Sequence, residues 1–297
     1  MGKAAAKKPS GALKKFVDIG KNETRVLGSL ERYLLAQPSG DPNRRHDVIH
    51  PSAMAKDDWC HKAEYYELLG AAPAPSKFKA SMKQLLVFDE GHRIHGRYQK
   101  WFGDMGKLYG LWYCAFCDNE EWGTGVCTGC FTPMRYREVP LFYEPLRIAG
   151  HADGWLKDFG DDLMLEIKSV GEGTVRFEDP ALHAACGGDM KKIWAALKSP
   201  FTTHINQVQI YMELAERIGL PNAPKEAVFI YESKATQEVK EFVVPKNTFH
   251  VDRLFDAAAN IVAAVDRGVP PTCNINPVTG CYKCNYHTEA NDVEAGS

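Results

Sequence analysis

The chain has 297 residues, 44% of them hydrophobic, and a formal net charge of −2. That much apolar material predicts one substantial core, in one domain with an insertion rather than two domains. The balanced charge excludes a wholly basic protein that coats DNA, and no apolar run is long enough to span a membrane.

Met1 to Val17 holds Lys3, Lys7, Lys8, Lys14 and Lys15 without an acid, and residues 1–22 read as a flexible basic tail. The start lacks the apolar core of a signal peptide, so a reducing, cytoplasmic setting is expected. Helices are predicted near 23–37, 52–69 and 80–105. In the third, Leu85, Phe88 and Phe102 recur at helical spacing. His92 and His95 share that stripe, so the imidazole of His95 is expected to face inward, either as a ligand or as a packed core histidine.

The nine cysteines point to metal rather than disulfides in such a setting. Cys114-x2-Cys117-x9-Cys127-x2-Cys130 carries two C-x-x-C knuckles, the pattern of a four-thiolate Zn²⁺ ribbon. Residues 109–137 are therefore expected as an inserted, structural zinc subdomain, with Arg135, Tyr136 and Arg137 as candidate DNA contacts. Four thiolates leave no open position for catalysis.

Strands are predicted near 138–144, 147–156 and 163–170, the last two joined by a turn at Asp158-Phe159-Gly160-Asp161. Pairing Lys157 with Asp162 across that turn sets Asp153 opposite Glu166. Directly opposite residues hold their Cβ atoms about 4.5–5.5 Å apart, so the two carboxylates repel unless a cation lies between them. Glu166 and Lys168 project to one face. Met164, Leu165 and Ile167 make this strand apolar on both faces, and buried charges need partners or metals. Read singly, E-x-K is as well explained by an exposed ion pair.

Residues 171–200 show no clear period; Lys191, Lys192 and Trp194 read as a patch lining a DNA strand or as a solvated loop with one packed Trp. A helix near 203–217, capped by Thr202 or Thr203, sets Gln207 and Tyr211 on one face. Strands near 226–233 and 239–244 follow, then a helix near 248–267 closed by Gly268. Cys273, Cys281 and Cys284 cluster beyond it, and 288–297 is an acidic tail. Helices flanking a mixed central sheet make an α/β core.

Gly91-x3-His95, Gly150-x2-Asp153, Glu166-x-Lys168 and Gln207-x3-Tyr211, in that order, resemble the RecB-like branch of the PD-(D/E)xK nucleases. His50-Pro51-Ser52, Trp59-Cys60 and Tyr65-Tyr66 are similar to that branch's N-terminal iron–sulfur segment, and the likeness runs over residues 50–287. The nuclease domain is accordingly expected at 23–287, and the resemblance implies that its α/β core is of restriction-endonuclease type. Zinc insertion and iron–sulfur segment together resemble bacteriophage exonucleases and CRISPR-associated spacer-acquisition nucleases.

The resemblance implies that His95, Asp153, Glu166 and the carbonyl of Ile167 bind Mg²⁺ or Mn²⁺. Lys168 would orient or deprotonate the attacking water, with Gln207 and Tyr211 supporting the site or the bound strand. It also implies a [4Fe–4S] cluster on Cys60, Cys273, Cys281 and Cys284. The late spacing C-x7-C-x2-C departs from the family's C-x2-C-x5-C, whose last position is Ala290 here. Zinc on Cys273, Cys281, Cys284 and His287 is the competing site, and Cys186 is read as a packed thiol. The expected activity is a metal-dependent DNA exonuclease on single-stranded DNA or DNA ends, in phage-type replication, recombination or repair, in the host cytoplasm if phage-encoded. A structure-specific endonuclease, a spacer-acquisition-type nuclease and a non-catalytic DNA-binding assembly factor are the alternatives. No G-x-x-x-x-G-K-[ST] loop is present, so unwinding would need a helicase or recombination partner protein.

Overall fold

The computed structural model describes residues 26–37, 44–71 and 80–276. They fall into two compact units, divided so that 26–44 and 80–88 belong to one and 45–71 and 89–276 to the other. In the first unit, helix α1 (Leu27–Ala36) buries none of its residues and exposes Leu27, Leu30, Tyr33 and Leu35. The second unit carries the sheet.

Strands β1 (Leu108–Cys114), β2 (Asn119–Gly123), β6 (Gly154–Leu156), β7 (Leu163–Val170), β8 (Glu226–Ser233) and β9 (Val239–Pro245) run in the spatial order β2-β1-β6-β7-β8-β9. A short β3 (Arg135–Tyr136) joins β1, while β4 (Val139–Tyr143) and β5 (Ile148–Ala152) form a separate antiparallel pair. Within this sheet, among the described residues, only β7 and β8 pair in parallel; their ladder aligns Glu166 with Phe229 and Lys168 with Tyr231. The sheet is therefore mixed, as expected.

Side-chain alternation splits the packing into two layers. Met164 and Val170 of β7, with Ala227, Phe229 and Tyr231 of β8, face one apolar cluster. That cluster includes residues of helices α2 (Pro51–Met54), α3 (His61–Leu68), α8 (Thr202–Arg217) and α9 (Thr248–Arg267). Leu165 and Ile167, with Val228 and Ile230, face the other cluster, where Ile94 and Tyr98 of α4 (Met82–Asp104) pack. Strands buried on both faces in this way read as near-continuous apolar runs, which β7 and β8 do.

The hairpin register matches the sequence reading: Leu156 pairs with Leu163 and Gly154 with Leu165, which continues to Asp153 beside Glu166. Lys157 and Asp162 meet at 3.5 Å across the turn. The predicted strand 147–156 is instead two strands, broken at Asp153. There the carboxylate takes over a ladder bond, Oδ2 accepting the Ile167 N–H at 2.7 Å.

Three further differences have local causes. The helix predicted at 52–69 breaks between α2 and α3, because the intervening turn drops Trp59 and Cys60 into the interior. Residues 171–200 form α5 (Glu172–Glu178), α6 (Pro180–Ala185) and α7 (Met190–Ala196), each too short to display a helical period. Phe201, not Thr202 or Thr203, caps α8, without a side-chain bond. The 109–137 segment is continuous with the main sheet, since Leu108 and Tyr109 pair with Leu156 and Trp155.

Candidate active site and metal centres

Two glycines set the spacing around the candidate site. A Cβ on Gly91 would meet Ser169 Oγ at 3.2 Å, so α4 crosses close over β7. A Cβ on Gly150 would meet the Pro51 ring and Cε1 of Tyr211, each at 3.0 Å, so α2 and α8 close in on β5. The glycine of each motif thus lets a neighbouring element approach.

His95, one helical turn beyond Gly91, sends Nδ1 to 3.2 Å from Asp153 Oδ1. Burial works against protonation of His95, but the adjacent Asp153 carboxylate leaves its pKa raised. Glu166 is 2% exposed, with Oε1 2.5 Å from Lys168 Nζ. Its Oε2 is one of two buried polar side-chain atoms without a hydrogen-bond partner among the described residues. Burial pushes Glu166 up to about 7 against the pull of Lys168.

Lys168 Nζ also donates to Gln207 Oε1 at 3.3 Å, and Gln207 Nε2 bonds Tyr211 OH at 2.9 Å. Tyr211 is buried against Gly150, and Gln207 stands between it and Lys168. Lys168 is subject to two opposing effects. Burial does lower its pKa, but the charges of Glu166 and Asp153 outweigh it and leave it raised. The ammonium form holds until those carboxylates are otherwise neutralised.

His95, Asp153, Glu166, Lys168, Gln207 and Tyr211 thus share one neighbourhood, linked by the contacts above. His92 does not join it and is exposed. Two members were not singled out from sequence. Gln99, four residues after His95, donates to the Asp153 carbonyl at 3.0 Å, and the i,i+4 spacing on α4 was the available signal. Glu138 is a third carboxyl near Asp153; burial and the Asp153 charge raise its pKa.

Does this set fit a divalent cation? Two carboxylates and an imidazole suit Mg²⁺ or Mn²⁺ in kind, and the orphaned Oε2 is a buried acceptor awaiting a positive partner. Their ligand atoms are not drawn tightly together, however. Among the described residues only Cys114, Cys117, Cys127 and Cys130 bring three or more such atoms within 4.8 Å of one another.

That thiol group fits tetrahedral zinc. Its sulfur separations include 3.5 Å for Cys114 to Cys130 and 3.4 Å for Cys117 to Cys127. A zinc–thiolate bond of about 2.3 Å implies about 3.8 Å between sulfurs. Each knuckle ends on a residue of positive φ, Asp118 at 53° and Phe131 at 57°, which turns the chain back beneath the site. Thr132 Oγ1 lies 3.0 Å from Cys130 Sγ and 3.3 Å from Cys114 Sγ. Of the proposed DNA contacts beside it, Tyr136 is tucked under Gly110 and Arg137 stacks on Tyr113 at 4.9 Å.

Cys60 and Cys273, far apart in sequence, sit together in one small buried cluster. Asn274 fastens them there, accepting the His61 N–H at 2.9 Å and donating to the Trp59 carbonyl at 2.9 Å. Cys281, Cys284 and His287 lie outside the described residues, as do both tails. Trp194 is packed in the core, while Lys191 and Lys192 are exposed.

No protein-family profile and no curated sequence matches the chain. Among solved structures, an alkaline exonuclease (LHK-Exo) from Laribacter hongkongensis is similar at 10% identity over 84% of this chain and 96% of that one, with a TM-score of 0.42. The same enzyme in complex with dAMP aligns at 11% identity over 75% and 90%, with a TM-score of 0.40. The protein SSO0001 aligns at 11% identity over 89% and 96%, with a TM-score of 0.36. Likeness this distant does not bear on activity.

Proposed function

We propose that the chain is a metal-dependent deoxyribonuclease, acting as an exonuclease on single-stranded DNA or DNA ends. The observation that carries this reading is the buried, half-paired carboxylate of Glu166, with one oxygen on Lys168 and the other without a partner. A purely structural carboxylate at this depth would be expected to satisfy both oxygens. Asp153, tied to His95 and to the Ile167 N–H, supplies a second negative group beside it.

Asp153, Glu166, His95 and the Ile167 carbonyl would hold Mg²⁺ or Mn²⁺, whose charge would offset that developing on the phosphate oxygens and acidify a nearby water. Lys168 then has a defined task. With its carboxylate partners neutralised, burial prevails and the amine at Nζ accepts the proton of the attacking water. Gln207 keeps the lysine aimed by accepting from Nζ, and Tyr211 keeps Gln207 aimed. The neighbouring Gln99 fixes the main chain at Asp153.

The Cys114–Cys130 set is read as structural zinc. Cys60 and Cys273 are read as two ligands of a [4Fe–4S] cluster, their burial together supporting the assignment. The testing experiment is digestion of end-labelled linear and circular single-stranded DNA with Mn²⁺. Loss of the linear form alone is expected. Cutting of circles would replace the exonuclease with an endonuclease, and cleavage of neither would leave a DNA-binding module.

A further inference from the structure

Behind Lys168 lies a set of groups that the chemistry above leaves unused. Tyr231 is fully buried and stands beside Lys168 in the parallel ladder of β7 and β8. Its phenolic oxygen accepts the Phe201 N–H at 3.1 Å and is hydrogen-bonded to Nδ1 of His204. The bookkeeping of protons settles the tautomer. If Nδ1 carried a hydrogen, the phenol would accept twice and its own O–H would be stranded in the interior without an acceptor. The O–H therefore donates to Nδ1, and His204 carries its proton on Nε2.

The ring is also held neutral. Burial and the nearby Lys168 charge keep its pKa well below the ordinary value. His204 precedes Gln207 by three residues and Tyr211 by seven, so all three line one face of α8. The imidazole is only half-buried. With Nδ1 turned to the buried phenol, the Nε2–H edge points away from it. The Nε2–H of His204 is thus a fixed neutral donor on the helix face that also carries Gln207 and Tyr211.

We propose that His204 is a DNA-contacting residue whose Nε2–H donates to a non-bridging oxygen of a phosphodiester next to the one that is cleaved. The proposal rests on the nuclease reading for its ligand, and on the Tyr231–His204 geometry for its donor. Such a contact positions the strand without reading its sequence.

The test is binding rather than turnover. A labelled single-stranded oligodeoxynucleotide, carrying one methylphosphonate at successive positions, is titrated by anisotropy without chelator and without added Mg²⁺ or Mn²⁺, so that cleavage is off and bound zinc is kept. Wild type should lose roughly tenfold in affinity when the contacted phosphate is neutralised. His204→Ala should bind the unmodified strand roughly tenfold more weakly and be indifferent to methylphosphonate at that position. His204→Gln, which keeps an N–H at similar reach, should recover part of the loss. Equal methylphosphonate penalties in wild type and His204→Ala overturn the proposal. If alanine unfolds the chain, His204→Leu keeps the volume, and a wild-type scan with no sensitive position overturns it without any variant. A protein that shows the pattern but cleaves nothing with Mn²⁺ refutes the nuclease reading alone. One that cleaves normally while His204 is indifferent refutes the contact alone, and no detectable binding refutes both.

Discussion

Replacing Gly150 with alanine perturbs the candidate site without touching a reacting group. The added Cβ would lie 3.0 Å from the Pro51 ring and 3.0 Å from Cε1 of Tyr211. Carbon atoms prefer about 3.5–4.0 Å, so both contacts are short by about half an ångström. Neither neighbour is the loose end of a flexible chain. Pro51 is buried at the start of α2, and Tyr211 is a buried ring whose OH bonds Gln207 at 2.9 Å. Overpacking of this kind costs about 1–3 kcal/mol. Moving Tyr211 by that half-ångström loosens Gln207, whose bond to Lys168 is already 3.3 Å. A misplacement of about 1 Å can cost about 100-fold in rate, so a loss of about tenfold is expected here.

The assay is urea unfolding followed by Trp fluorescence, paired with initial rates on end-labelled single-stranded DNA with Mn²⁺. Gly173→Ala is the control, because nothing lies within 4 Å of a Cβ there and the residue sits in α5. It should leave the rate unchanged and stabilise by about 0.4–1 kcal/mol. Gly150→Ala with wild-type stability and wild-type rate would refute the chain of contact from Gly150 through Tyr211 to Lys168.

Other outcomes follow from the same geometry. Lys168→Met should lower cleavage by about 10² to 10⁴-fold while circular dichroism and zinc content persist; near-normal turnover would remove Lys168 from the chemistry. Glu166 is raised by burial to about 7 from an ordinary 4.5, so the folded state binds its proton more tightly. Its contribution to stability is full below pH 4.5 and is lost as pH rises through about 7. Without added cation, Tm should fall across that window, and Mg²⁺ should raise Tm more at pH 8 than at pH 5.5. Equal shifts at both pH values would contradict a cation on this carboxylate. Metal analysis of anaerobically purified protein should find zinc lost in Cys117→Ser and visible absorbance lost in Cys60→Ala. A colourless wild type holding two zinc ions per chain would favour the Cys273–His287 alternative.

What was readable in the sequence was whatever a short, local rule controls. Strand β7 shows at its predicted bounds because turn residues precede it and apolar residues fill both of its faces. The hairpin register was readable because Lys157 and Asp162 flank a four-residue turn. Gly268 ends α9 with φ of 67°, as a glycine C-cap does. The break at Asp153 was hidden because it depends on a side chain substituting for a backbone partner across the sheet. Helices α6 and α7 left no period, though Asp179 and Asp189 cap them and were legible signals. Gln99, Glu138 and His204 were passed over for a different reason. Each gains its meaning from a partner distant in sequence, Asp153 for the first two and Tyr231 for the third.

The central claim is that Glu166, with Asp153 and His95, takes a divalent cation. Mn²⁺ titration followed by electron paramagnetic resonance, on wild type and on Glu166→Gln of equal zinc content, tests it most directly. Saturable Mn²⁺ binding in wild type that weakens at least tenfold in Glu166→Gln is the predicted result. Identical titration curves for the two proteins, or no saturable binding in wild type, would contradict it.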